Sequence, residues 1–117
     1  MVDKNGNKYC VMRQVKNQNF EKEVLNSAIP VVVDFAAEWC PPCRTMVPLL
    51  DELFAELAGK VDIVKVNIDE SPELAGKYGV MSIPTMILFK GGKQTSSIVG
   101  GHSKAKIAEW INSEISL

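Results

Sequence analysis

The sequence predicts an α/β fold: a central mixed sheet with helices on both faces. Three observations carry this. Val31-Val32-Val33-Asp34-Phe35 and residues 61–68 are nearly continuous apolar, β-branched runs. Strands buried on both faces read that way, and such burial points to parallel pairing. Between them, Met46, Leu49, Leu50, Leu53, Phe54 and Leu57 recur at helical spacing. Strand, helix, strand in this order is a βαβ unit, whose crossover is expected to be right-handed. A later run, Thr85–Lys90, meets Gly91-Gly92, a tight turn that folds the chain back into a hairpin over residues 95–99.

The remaining elements follow in chain order. Residues 8–15 alternate weakly and read as an edge strand. Over residues 19–27, Phe20, Val24 and Leu25 sit at helical spacing, with Asn17 or Asn19 as the expected cap. Pro30 punctuates before the first buried strand. The central helix is predicted over residues 42–58, kinked at Pro48 and ended by Gly59. Ser71-Pro72 reads as a cap followed by a first-turn proline, opening a short helix to about Tyr78, closed by Gly79. Ser103 caps a last helix with Ile107, Trp110, Ile111 and Ile115 on one side. No repeat, linker or low-complexity segment interrupts the 117 residues, so a single domain over residues 1–117 is expected, with 1–15 a variable N-terminal segment.

Composition narrows the function. A formal charge of −1 supplies no electrostatic reason to bind nucleic acid or an acidic membrane. No apolar run approaches the ~20 residues of a membrane span. The polar opening residues, Met1 to Asn7, lack the apolar core of a signal peptide, so a cytoplasmic, reducing setting is expected. Three cysteines make an odd count. That excludes a disulfide scaffold and leaves Cys10 unpaired or paired outside the chain.

The chemistry concentrates in Trp39-Cys40-Pro41-Pro42-Cys43. Disulfide exchange needs one exposed, low-pKa thiol and a second thiol to resolve the mixed disulfide. The pair follows a buried strand and opens a helix. Cys40 is placed where free N–H groups and the dipole favour a thiolate. Cys43 lies one turn on. This reading makes Cys40 the nucleophile and Cys43 the resolving thiol. A metal site and an inert pair are the alternatives. Zinc takes about four ligands, and the further candidates are Cys10 and His102.

Two charges interrupt apolar strands: Asp34 after Val31-Val32-Val33, and Lys65 within Ile63-Val64-Lys65-Val66. An isolated buried charge is costly, so the two are expected to face each other. They form either a structural ion pair or a site where Asp34, with a raised pKa, moves a proton for Cys43. Pro84, in Ile83-Pro84-Thr85, marks a strand start or a cis bond.

Further matches run in order along the chain: Lys65-Val66-Asn67, Asp69, Lys77-Tyr78-Gly79-Val80, Phe89-Lys90-Gly91-Gly92 and Val99-Gly100. With Val33-Asp34-Phe35, Trp39-Cys40, Pro42-Cys43 and Ile83-Pro84-Thr85, the chain from about residue 30 to 115 resembles the thioredoxins. The resemblance implies the thioredoxin fold, a five-stranded mixed sheet flanked by four helices, and a monomeric protein-disulfide reductase. It implies no bound cofactor. A separate thioredoxin reductase, NADPH- or ferredoxin-linked, would reduce the Cys40–Cys43 disulfide, and proteins with disulfides would be the substrates. By resemblance Asp34 is the buried acid behind Cys43, Lys65 its partner, and Pro84 the cis-proline beside the disulfide. Trp39, Pro41, Ile83, Pro84 and Gly100 would form the groove for an extended substrate strand.

The departures matter as well. Pro41 stands where the commonest motif has Gly. Pro41 and Pro42 lack N–H groups, leaving Cys43 N–H as the nearest donor to a Cys40 thiolate. One lost bond costs about 1–2 kcal/mol, near one pKa unit upward, or roughly 20–40 mV toward a more reducing couple. Consecutive prolines also stiffen the ring, with an effect of either sign. Ala36 replaces an aromatic residue, Met81 and Ser82 replace a basic residue and Gly, and His102 replaces an apolar one. An oxidant or isomerase, and a binding subunit that uses the groove without turnover, are the alternative functions.

Overall fold

The structure, a computed structural model, describes residues 12–116. Cys10 and residues 8–11 of the predicted edge strand lie outside the described residues. The elements are β1 (Arg13–Gln14), a helical turn (Glu21–Leu25), β2 (Val31–Ala36), α1 (Pro41–Glu56), β3 (Asp62–Asn67), α2 (Pro72–Lys77), β4 (Thr85–Lys90), β5 (Lys93–Val99) and α3 (Lys104–Ile115). The five strands form one mixed sheet in the order β1-β3-β2-β4-β5. β1, β3 and β2 run parallel, while β4 pairs antiparallel with β2 and β5. The hairpin is longer than predicted, because β5 begins at Lys93 immediately after the glycines.

The two-residue period of a strand sorts the core into two layers. Val32, Ile63, Met86 and Leu88 face Met46, Leu50 and Leu53 of α1 and Ile107 and Ile111 of α3. Val31, Val33, Phe35, Val64 and Val66 face Phe20, Val24 and Leu74 on the other side. The same alternation puts Asp34 in line with Val32, on the α1 side, and the register sets it beside Lys65.

Two local expectations are corrected. The first helix is a widened turn closed by Asn26 N–H to Glu21 O at 2.9 Å, a five-residue step. Its buried Phe20 packs on the rings of Tyr78 and Phe89, so tertiary contacts select the turn. Neither asparagine caps it. Asn19 Oδ1 turns back to accept from Lys16 N–H at 2.8 Å, and Asn17 N–H donates to Ser71 Oγ. The latter bond explains the second correction. Ser71 begins α2 but makes no side-chain cap, because its buried hydroxyl serves the residue 17 backbone. Ser103 does cap, with Oγ accepting from Lys106 N–H at 3.2 Å. α1 runs through Pro48 for 16 residues.

Candidate active site

Cys40 is the N-cap of α1 and Cys43 lies in its first turn. Their Cα atoms are 5.2 Å apart and the sulfurs form a disulfide. The sequence calls for an exposed thiol, yet here Cys40 is 4% exposed and Cys43 2%. In the disulfide form both cysteines pack against Ala36, Ala37, Ile68 and Ile83. Cys43 N–H points at Cys40 Sγ, 3.3 Å away.

Pro41 and Pro42 occupy the first two helical positions. An N-cap side chain accepts from the second or third helical N–H, never the first. The donor missing at Cys40 is therefore the one Pro42 removes. Pro41 takes none away, since a first-position N–H has no such partner. The thiolate cost expected from Pro41 is withdrawn, and its stiffening remains. Pro41 lines neither of the cavities described below, and its carbonyl accepts from Thr45 Oγ1.

Behind the disulfide lies a cavity of about 160 Å³. Asp34, Lys65, Cys43, Gln14, Asn67 and Arg44 line it, and Cys40 does not. Asp34 is 1% exposed, and its Oδ1 has no hydrogen-bond partner. Burial pushes the carboxyl up to about 7, against an opposing pull from the Lys65 ammonium. The two face each other across neighbouring strands as expected. They form no ion pair within 4.0 Å, so Lys65 acts on Asp34 through space.

A second cavity, about 300 Å³, opens on the other side of the disulfide. Trp39, Ile83, Ile68, Val80 and Met81 line it. The Trp39 indole N–H donates to Asp69 Oδ2 at 2.8 Å, which holds a ring that is 62% exposed. The Ile83–Pro84 peptide is cis. Gly100 N–H donates to Pro84 O at 2.8 Å, which ties the end of β5 to the start of β4, and Thr85 Oγ1 donates back to Ser82 O within the preceding loop. Trp39 and Ile83 thus share one cavity wall, and Pro84 and Gly100 form an adjoining contact.

Sequence reasoning missed Asp69 as the partner of Trp39 and the cavity-lining residues Gln14, Asn67 and Arg44. The available signal was position: Asn67 and Asp69 lie at and just beyond the carboxyl end of β3, the side on which open α/β sheets place their sites. His102 Nε2 lies 2.9 Å from Val99 O. Among the described residues, no three His, Cys, Asp or Glu side chains group to hold a metal. No helix among them is long and apolar enough to cross a membrane.

Comparison with known proteins agrees with this geometry. The family described as "Thioredoxin" matches residues 11–113. A thioredoxin of Rickettsia bellii is 52% identical over 101 residues, covering 86% of this chain and 96% of its own length. A thioredoxin of Rickettsia typhi is 46% identical over 105 residues, 90% of this chain and all of its own. Thioredoxin 1 of Nostoc sp. is 43% identical over 102 residues, 87% and 95% of the two chains. With a redox disulfide at the head of α1, a five-stranded mixed sheet and matches of this extent, the chain belongs to the thioredoxin family of thiol–disulfide oxidoreductases and is a protein-disulfide reductase.

Proposed function

We propose the following division of labour for disulfide reduction. The Cys40 thiolate attacks one sulfur of a substrate disulfide, and the other substrate sulfur leaves as a thiolate. Cys43 then yields its proton toward the Asp34 carboxylate and attacks Cys40 Sγ. The second substrate thiolate leaves, and the Cys40–Cys43 disulfide forms. Two electrons pass from the dithiol to the substrate. The observation that carries this assignment is asymmetry: Cys43 lines the Asp34 cavity and Cys40 caps the helix. A cavity of that volume accommodates several waters to bridge carboxyl and thiol. Lys65 steadies the Asp34 charge from the next strand. An extended substrate strand docks over Trp39, Ile83, Pro84 and Gly100, and Pro41 contributes through the stiffness of the ring.

A separate thioredoxin reductase, NADPH- or ferredoxin-linked, recharges the pair, and proteins carrying disulfides are the substrates. No resident cofactor takes part. A single domain working in the cytoplasm fits this reading.

Insulin reduction driven by dithiothreitol tests it. Cys40→Ser is expected to lose turnover completely, and full turnover by that variant would end the proposal. Equilibration with glutathione separates reductase from oxidant: a potential well above the cytosolic poise would favour an oxidant or isomerase.

A further inference from the structure

Met81 is 94% exposed, whereas Met12, Met46 and Met86 are buried at 1% or less. It lines the cavity beside the disulfide together with Trp39, Val80, Ser82 and Ile83. One residue, Ser82, separates it from Ile83-Pro84, and Ile83 packs on the cysteine pair. Among the described methionines, the one open to aqueous oxidants therefore sits in the wall where substrate is proposed to dock, beside the reacting sulfurs and outside their chemistry.

We propose that Met81 is a modification site: peroxide oxidises it to the sulfoxide, and this change weakens docking of protein substrates without altering disulfide exchange. The inference rests on the docking role given above to the Trp39–Ile83 cavity. In the step, a lone pair of the Met81 thioether attacks one oxygen of hydrogen peroxide. The O–O bond breaks, an S–O bond forms, and water leaves after proton transfer. The sulfur loses two electrons and the peroxide gains them. The product places a polar, strongly hydrated S=O where an apolar side chain stood. A substrate covering the cavity must desolvate that group in a wall whose other polar side chains are Ser82 and the Trp39 indole, the latter already bonded to Asp69. Affinity falls, while the Cys40 and Cys43 sulfurs are untouched. A methionine sulfoxide reductase reverses the change.

The test uses the full chain in its disulfide form, so that Cys40 and Cys43 are protected from peroxide. After brief exposure to hydrogen peroxide, peptide mapping should find Met81 oxidised at least ~10-fold faster than Met12, Met46 or Met86. With peroxide removed, insulin reduction should show KM raised about five-fold and kcat unchanged, the loss expected for one unpaired polar group in a docking wall. Treatment with a methionine sulfoxide reductase should restore KM. In Met81→Leu, KM should be the same before and after peroxide, which also controls for oxidation of Cys10. Oxidation of Met81 no faster than that of the buried methionines overturns the proposal. So does an unchanged KM on the oxidised protein. Trp39→Ala separates the two readings. If it raises KM and Met81 oxidation does not, the docking cavity stands and the modification proposal falls. If neither moves KM, both fall.

Discussion

A carboxyl inside an apolar sheet with one oxygen unpartnered opposes folding, and Asp34 is such a group. Its pKa is about 7 in the native state against 3.8 when unperturbed. Between those values the native chain holds a proton that the unfolded chain has released. Stability contributed at low pH is therefore lost as pH rises from roughly 4 to 7, and the loss is complete above that. Asp34→Asn should be more stable than the parent, with a gain that grows across this window and levels off at a few kcal/mol. Urea unfolding from pH 4 to 9 measures it, and a gain largest at pH 4 would contradict the assignment. The same variant should slow insulin reduction at pH 7 at least ~10-fold, because Cys43 would lose the proton acceptor proposed for it. Pro41 leads to a different expectation. Since its missing N–H is at the first helical position, Pro41→Gly should leave the Cys40 pKa within about half a unit. A thiolate absorbance titration showing a fall of a full unit would restore the lost-donor explanation. Asp34 and Lys65 were legible in the sequence because a charge within a β-branched run needs a partner or a use. The Trp39–Asp69 bond was not, because it joins residues 30 positions apart that only the return of β3 brings together.

Two serines with similar sequence signals behave differently as helix starts. Ser103 caps α3 and Ser71 does not cap α2. Ser103→Ala should cost ~1 kcal/mol in chemical unfolding, the usual worth of a cap. Ser71→Ala should act elsewhere. It leaves the Asn17 N–H without its acceptor, so hydrogen exchange at the Asn17 amide should quicken while α2 amides keep their protection. Faster exchange confined to α2 would show that Ser71 caps after all. Local pattern located every helix start to within two or three residues. It missed which partner each hydroxyl finds, since burial of Ser71 beneath residue 17 is a tertiary event. For the same reason the Glu21–Leu25 turn was read as an ordinary helix: Phe20, Val24 and Leu25 suit either winding, and the rings of Tyr78 and Phe89 decide.

At the scale of the molecule, the sheet divides the work. Its parallel half, β1-β3-β2, sets Asp34 beside Lys65 on neighbouring strands, and the disulfide follows the carboxyl end of β2. Its antiparallel half brings Ile83-Pro84 and Gly100 to meet them. The α/β class and the buried strands were plain from the apolar runs. The width and position of the cavities were not, because they depend on how α1 and the loop before β4 settle on the sheet. Gly92 tests how firmly the halves are joined. It has φ +80°, and a Cβ there would lie 2.9 Å from the Leu25 carbonyl oxygen. Gly92→Ala should lower stability by about 1–3 kcal/mol, read as a fall in Tm, with the reduction potential unchanged.

Which sulfur meets the substrate decides the division of labour between Cys40 and Cys43. Cys43→Ser, mixed with a disulfide-bearing protein and quenched with acid, should accumulate a mixed disulfide that peptide mapping places on Cys40. Cys40→Ser should accumulate none. A mixed disulfide on Cys43, formed as fast in Cys40→Ser as on Cys40 in Cys43→Ser, would contradict the assignment of attacker and resolver.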